Sequence, residues 1–199
     1  MKRLFKAEKL LLTALILFVV FALALSLDQL ALSRKLVRLH VIANSDTAED
    51  QTLKLEVRDA VLDYVSSLEE DSVECVARNL EGIETTALMK VRESGCDYPV
   101  AVLLGDERYD TRRYGEFSLP PGEYNSLRVV IGDGDGQNWW CVLFPPLCFA
   151  TAEEFETSAE AAGLSEDEIS LITGKDDGYV VRFKCVELFE KLVDFFRSK

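Results

Sequence analysis

Histidine and basic residues are scarce in this sequence, and their scarcity excludes several classes of function. His40 is the single histidine among 199 residues, which excludes a metal site with several imidazole ligands. The chain has 22 Lys and Arg residues against 35 Asp and Glu residues, a net charge of −13. Because such an acidic protein repels the phosphate backbone, we expect no nucleic-acid partner. We also expect no metal and no cofactor.

The residues needed for nucleophilic catalysis are missing as well. His40 lies in an apolar stretch that predicts a strand, and we interpret it as a core or edge side chain. No serine has the setting of a nucleophile elbow, and a triad of His40 with Asp46 has no identifiable nucleophile. We therefore predict no catalytic residues and no enzyme activity.

Internal repeats and low-complexity tracts are also absent. With 48% hydrophobic and 29% charged residues, the composition is that of an ordinary globular protein. We expect residues 27–150 to form an α/β core. Residues 151–199, an acidic segment followed by a C-terminal amphipathic helix, are expected to complete the same domain. A domain of this size buries roughly 70% of its unfolded surface, so neither a metal nor a disulfide is needed for folding.

The first 26 residues predict export. Residues 1–9 are basic, with a net charge of +3, and the remainder of the chain therefore carries −16. An apolar run from Leu10 to Leu25 follows, shorter than the roughly 20 residues of a transmembrane helix. A basic flank before a short apolar core is typical of a secretory signal peptide, with cleavage after Ala24 or Ser26. An uncleaved N-terminal membrane anchor is the alternative, because further leucines prolong the apolar run.

Hydrophobic periodicity predicts a mixed α/β (α+β) fold with a mostly antiparallel sheet. Alternating or β-branched stretches predict strands, and apolar residues at helical spacing predict helices. Thr47 and Asp50 fit the capping box of the first of these helices. The expected strands are 36–43, 98–104, 123–131 and 139–144, and the expected helices are 47–68, 72–95 and 178–196. This order, βααβββα, has two N-terminal helices and a C-terminal helix.

The glycine-rich stretch 132–136 predicts a hairpin loop between two strands. Asp133 and Asp135 within it would repel a phosphate group, which argues against an anion site. A calcium loop would need a glycine and a glutamate where the sequence has Asn138 and Phe144. A hairpin turn accounts for the glycines better than either ligand site.

The five cysteines are an odd number, so at least one thiol is free or pairs between molecules. Cys75 and Cys185 fall in predicted helices and are interpreted as small core residues. Cys141 and Cys148 flank a strand end and a Pro-Pro turn in an oxidising compartment. A disulfide between Cys141 and Cys148 is geometrically feasible, and two unbridged thiols are the alternative.

Two adjacent tryptophans begin the most unusual stretch of the sequence. On a strand, Trp139 and Trp140 face opposite sides of the sheet, so one can lie in the core while the other meets a partner. The alternative is that both are buried. An exposed tryptophan beside the rigid turn of Pro145 and Pro146 is typical of an interface hot spot.

Two long motifs resemble the stage II sporulation protein R family. The first begins at Arg38 with the letters RLHVIANSD and continues through helix residues that include VRDAV at 57–61. The second begins at Tyr114 and ends with the letters NWWCVLFPPLCF at 138–149. The resemblance spans about residues 36–150.

This resemblance implies a signalling protein of endospore-forming bacteria. Members are exported from the forespore into the space between the forespore and mother-cell membranes. There they activate a membrane-embedded aspartic protease of the mother cell, which removes the pro-sequence of a sigma factor. The implied partner is this receptor protease, with the membrane reached only through the N-terminal segment. The sequence leaves the oligomeric state open.

We predict two partner-binding surfaces for such a signal. One is the turn of Asn44, Ser45 and Asp46, and the other is the strand and turn from Trp139 to Phe149. The alternative function is an exported hydrolase or a cell-wall-binding protein that uses carboxylates. A concave site with two converging carboxylates of perturbed pKa would favour that alternative.

Overall fold

The computed structural model describes residues 2–68, 70, 72–114, 117–145, 152–161 and 163–173. These residues form six helices and six strands, numbered in chain order. The helices are α1 (Lys2–Lys35), α2 (Ala48–Ser66), α3 (Val73–Arg78), α4 (Leu80–Glu93), α5 (Ala152–Ala161) and α6 (Glu166–Thr173). The strands are β1 (Val37–Ile42), β2 (Val100–Tyr109), β3 (Arg112–Tyr114), β4 (Phe117–Leu119), β5 (Gly122–Ile131) and β6 (Asn138–Phe144).

The main sheet has four strands in the order β2-β5-β1-β6. β1 is parallel to β5, whereas β1–β6 and β2–β5 are antiparallel. The short strands β3 and β4 pair as a separate antiparallel hairpin. The predicted α+β class with a mixed sheet is therefore confirmed.

The glycine-rich loop does not form the predicted hairpin. β5 and β6 are not paired, because β1 lies between them and Ile42 pairs with Val130 on one side and Asn138 on the other. The loop from residue 132 to residue 137 therefore crosses the carboxyl end of β1. A short loop joins β5 and β6, which favoured a hairpin. The prediction failed because β1, from a distant part of the sequence, pairs with both strands and separates them.

Helices α2 and α4 cover one face of the sheet. α2 begins at Ala48, and the backbone N–H of Asp50 donates to Oγ1 of the N-cap Thr47, which confirms the N-cap half of the predicted capping box. The backbone N–H of Thr47 donates to Ser45 Oγ rather than to Asp50. The buried residues of the two helices recur every three or four positions and meet alternate strand residues. This core includes Leu53, Val57, Val61, Ile83, Ala87 and Val91 from the helices and Leu39, Val41, Leu127 and Val129 from the strands.

The opposite face of the sheet is covered in part by the end of α1, the β3–β4 hairpin, α5 and α6. Its apolar core contains Leu32, Leu36, Leu119, Tyr124, Ala159 and Ile172. Lys35 Nζ lies 2.8 Å from Glu168 Oε2, which ties the end of α1 to α6. Glu168 and Ser165 exchange hydrogen bonds as a capping box at the start of α6. The acidic segment thus supplies two short helices, α5 and α6.

Two element boundaries differ from the predictions. The second predicted helix is divided at Asn79, whose side chain donates to the carbonyl of Cys75 and competes with the helix backbone. The β2 strand continues to Tyr109, beyond its apolar residues. The predicted C-terminal helix lies outside the described residues.

Within the part of the chain that the structure describes, none of the helices combines the length and apolar character that a membrane span requires.

Candidate functional site

The turn of Asn44, Ser45 and Asp46 is held by the crossing loop. Asn44 Oδ1 accepts a 3.1 Å hydrogen bond from the backbone N–H of Asp133. Asp46 Oδ1 accepts a 2.8 Å hydrogen bond from the backbone N–H of Gln137. These two side chains therefore fix the loop to the end of β1. The sequence analysis did not predict this structural role. Binding of a partner at this turn stays a prediction.

Asp50 closes the same turn from the first turn of α2. Its Oδ2 accepts hydrogen bonds from Ser45 Oγ at 2.6 Å and from Asn44 Nδ2 at 2.9 Å. These bonds, with that from Ser45 the strongest, lower the pKa of Asp50 although its burial opposes the shift. The carboxylate is therefore an ionised structural anchor of the turn.

The two tryptophans lie on opposite faces of β6, as their adjacent positions predict. Trp139 is half-buried on the α2 side, with the guanidinium of Arg58 4.4 Å from its ring centroid. Trp140 is half-buried on the other face, where its ring centroid lies 3.7 Å from that of His40. The guanidinium of Arg112 lies 4.1 Å from the Trp140 ring centroid. Each indole thus combines core packing with an exposed edge beside an arginine.

The end of β6 carries the remaining predicted site residues. Pro145 is buried and follows a cis peptide bond from Phe144. Cys141 is disulfide-bonded, while Cys75 and Cys96 are free thiols. Cys148 and Pro146 lie outside the described residues, so pairing of Cys141 with Cys148 stays a prediction.

Four neighbouring side chains form a row across the face of the sheet opposite α2. The strand register aligns Leu103 of β2, Arg128 of β5, His40 of β1 and Trp140 of β6. The neighbouring row on the same face consists of Gly105, Ser126, Arg38 and Val142. Four strands therefore bring residues from three distant parts of the chain onto one surface.

A hydrogen-bond network centred on Tyr109 joins these rows. The Tyr109 hydroxyl contacts His40 Nε2, donates to Glu107 Oε2 at 2.9 Å and lies 2.7 Å from Ser126 Oγ. Glu107 also accepts from Ser126 Oγ at 2.8 Å and pairs with Arg128 at 2.9 Å. The Glu107 carboxylate thus accepts hydrogen bonds from Tyr109 and Ser126 and pairs with Arg128.

Burial controls the protonation of this network. Loss of solvation lowers the pKa of His40 to about 4, and Arg38, Arg128 and Arg112 add to that effect although Glu107 opposes it. Burial also raises the pKa of Tyr109. His40 is therefore neutral and Tyr109 protonated at neutral pH.

Arg38 is fully buried beneath this surface. Its guanidinium carbon lies 3.6 Å from the Tyr109 ring centroid and 5.1 Å from that of Tyr124, and its Nη2 donates to the Tyr114 hydroxyl. Among the described residues, Nε and Nη1 have no hydrogen-bond partner and no carboxylate pairs with the side chain. Aromatic rings therefore hold this buried charge through cation–π contacts.

The described contacts do not place Ser126 in a triad with His40. Ser126 contacts Glu107 and Tyr109 rather than His40, so the imidazole is not placed to activate its hydroxyl, and the Ser126 side chain is buried. Glu107 is the one carboxylate that the described contacts bring into the network. Two converging carboxylates, which the hydrolase alternative requires, are not assembled here. Among the described residues, no group of three or more His, Cys, Asp or Glu side chains could hold a metal ion.

Sequence reasoning missed Glu107, Tyr109, Ser126 and Arg128 as site residues. Glu107 and Tyr109 lie two positions apart on β2, and Ser126 and Arg128 lie two positions apart on β5. The two members of each pair therefore share a face of the sheet. That polar spacing was a usable signal of a second, partly open face. Their proximity to His40 was not readable, because it depends on the register between β1, β2 and β5.

Beside this network the sheet has a shallow depression of about 250 Å³. It lies between β2 and β5 and is lined by two carboxylates and one arginine together with apolar and small residues: Leu103, Leu104, Gly105, Asp106, Glu107, Ser126 and Arg128. Apolar, anionic and cationic groups thus border one small open space near the edge of the sheet.

Comparison with known proteins identifies the relatives of this chain. The sequence model of the family described as Stage II sporulation protein R matches residues 33–154. A Bacillus subtilis (strain 168) protein, Stage II sporulation protein R, is 32% identical over 185 residues, which cover 78% of this chain and 80% of that relative. No solved structure matches this chain. The matched region contains β1 to β6 and therefore both faces of the sheet.

Proposed function

The chain belongs to the stage II sporulation protein R family, which gives it a role in sporulation, and from that premise we propose that it is an exported signal. It leaves the forespore through its N-terminal segment and acts between the two membranes. There it activates a membrane-embedded receptor protease of the mother cell, and that protease processes a pro-sigma factor. The protein acts by binding rather than by catalysis.

Helix α1 carries the observation that most supports export. Leu10, Leu17 and Leu23 in its first part are 74%, 64% and 49% exposed, so no described part of the protein covers them. Leu32 at its end is fully buried in the second core. A segment that is apolar yet outside the folded body suits an export signal or a membrane anchor.

The structure of the body supports a binding function. Its described polar network has neither a Ser-His pair nor paired carboxylates, whereas Trp140 presents a partly exposed ring between His40 and Arg112. A signal that binds the active form of a receptor better than the inactive form shifts the receptor population toward activity. A rigid sheet surface provides such selective binding without chemistry of its own.

The test is a reconstitution of processing in a host that does not sporulate. This chain, the cognate receptor protease and the pro-sigma factor are expressed together, and the removal of the pro-sequence is followed by immunoblotting. Processing that requires both this chain and the active-site aspartates of the protease supports the proposal. Processing without this chain, or none with all three proteins folded and correctly located, contradicts it.

A further inference from the structure

The outer edge of β2 lacks the features that usually keep edge strands apart. Among the described strands, β2 pairs with β5 alone and lies at one end of the strand order. Its register with β5 runs without a bulge from Val100 to Tyr109. Residues 100–105 include neither a charged residue nor a proline. Bulges, charges and prolines are the usual protection of an edge, so this stretch is open to pairing with another chain.

The side chains along this stretch are complementary to themselves. Ala101, Leu103 and Gly105 are exposed on the face of the sheet that α2 and α4 do not cover, and Leu103 is 47% exposed. In an antiparallel pairing of two copies centred on Leu103, the two leucines lie side by side, and Ala101 of each copy faces Gly105 of the other. Asp106 then faces the uncharged Val100 of the other copy rather than another acid.

The contacts of α4 show which of its sides lies above this edge. Helix α4 packs on β2, whereas α2 packs on β1 and β6 at the other end of the sheet. The buried residues of α4, which include Ala87, face the sheet. A Cβ on Gly82 would meet Tyr64 of α2, so the Gly82 side of α4 faces α2. The side of α4 turned away from α2 therefore lies above the outer edge of β2.

That outer side of α4 carries unlike charges on either side of an apolar residue. Glu84, Leu88 and Arg92 recur every four positions and so form one stripe along the helix. Glu84 and Arg92 are exposed, Leu88 is half-buried, and neither charge has an ion-pair partner among the described residues. A two-fold axis through the paired β2 strands sets two α4 helices side by side and antiparallel. With Leu88 against Leu88, Glu84 of each copy lies beside Arg92 of the other.

We propose that the outer edge of β2 and the outer side of α4 bind a second copy of this chain, so that the two copies form a two-fold dimer. Each copy contributes four strands to one continuous sheet. The net charge of −13 on each chain opposes self-association elsewhere on the surface. At this interface the paired strand segment is uncharged and the two helices bring unlike charges together. Because the same surfaces of both copies are used, the association closes at the dimer.

The first test is the mass of the protein in its detergent complex, measured by light scattering on the full-length chain over a range of concentrations. Detergent is kept in excess so that the α1 helices of separate chains do not share a micelle. Leu103→Glu puts two like charges opposite each other at the axis. Leu55→Glu on α2 is the matched control, because Leu55 is 36% exposed on another element. Thermal unfolding of every variant verifies its fold.

A charge exchange on α4 separates contact between copies from a change within one copy. Glu84→Arg alone and Arg92→Glu alone each place like charges side by side across the axis, and the double variant restores unlike pairs. The two positions are about 12 Å apart along one helix, too far for the two side chains to compensate each other within a chain. Recovery in the double variant therefore reports a contact between two chains.

We expect dimers of the wild type and of Leu55→Glu, and a dissociation constant raised about tenfold by Leu103→Glu. Each single α4 substitution should raise it about threefold, and the double variant should restore it. A monomeric wild-type chain overturns the proposal, as does a dimer that Leu103→Glu leaves unchanged or single α4 losses that the double variant does not recover. A monomer whose binding to the receptor protease is weakened by Leu103→Glu also overturns it and assigns the β2 edge to the receptor.

Discussion

The backbone N–H of Gly136 donates a 3.0 Å hydrogen bond to the carbonyl of Ala43, which joins the loop after β5 to the end of β1. Two further hydrogen bonds, from Asp133 to Asn44 and from Gln137 to Asp46, lie on either side of it. The first family motif is therefore bonded to the second across the end of a strand. This connection holds β1 between β5 and β6.

Gly136→Ala is expected to destabilise the protein. An added Cβ would overlap the backbone carbonyl of Ser45, which a side-chain rotation cannot relieve. We expect a loss of about 1–3 kcal/mol in the free energy of unfolding, the usual cost of overpacking. Urea denaturation measures it, with Gly105→Ala as the control because its Cβ meets open space. Equal stability of the two variants would show that the loop adjusts freely.

Asp50→Asn is expected to weaken the protein at neutral pH and to reduce its sensitivity to acid. The pKa of Asp50 is lowered in the folded state, chiefly by the hydrogen bond from Ser45. Its contribution is therefore present above the pKa of the unfolded chain and lost as the pH falls through the folded value. Urea unfolding across an acid pH series measures this, with the exposed Asp63→Asn as control. An unchanged pH dependence would contradict the anchoring role.

The protein is expected to lose stability as the pH falls from 6.5 to about 4, because the buried His40 must take up a proton in that range. Burial lowers its folded pKa from 6.5 to about 4, so the unfolded chain binds the proton more readily in that range. Stability from this group is complete above the higher value and falls as the pH decreases. An NMR titration of the single imidazole measures the pKa directly. A midpoint near 6.5 would show that the ring is solvated.

Cys141 is expected to pair with Cys148. Intact-mass analysis of the exported, unreduced protein should show the loss of two hydrogen atoms, and reduction should restore them. Peptide mapping should find the two residues in one linked fragment, and Cys148→Ser should leave Cys141 as a thiol that is alkylated once the protein is denatured without reductant. A linked fragment that joins Cys141 to Cys185 would contradict the pairing while preserving the disulfide that the structure gives Cys141.

The sequence predicted the features that depend on near neighbours. Apolar spacing located α2, and the Thr47–Asp50 pair located its start, because a helix and its cap are local structures. The strands β1, β5 and β6 were located within two residues of their observed limits. The opposite faces of Trp139 and Trp140 followed from the period of a strand.

The remaining features depend on contacts between distant segments. The loop from residue 132 to residue 137 suggested a hairpin, but the insertion of β1 is decided by parallel pairing with β5. The Tyr109 network likewise requires β2 and β1 to lie on either side of β5. In the sequence, the polar residues of β2 look like solvent-facing strand residues. Only the pairing register of β2, β5 and β1 shows that they lie beside His40. Strand order, which the sequence does not encode locally, therefore determines the candidate site.

The most direct test of the account asks whether the chain must be exported in order to act. In the processing assay, the wild-type chain is compared with a chain that lacks residues 2–26 and with the same body behind an unrelated signal peptide. Buried Leu32 remains in both variants, so the second core is preserved. The account predicts processing with the wild-type chain and the unrelated signal peptide, and none with the truncated chain. Processing by the truncated chain in the cytoplasm would contradict a signal that acts from outside.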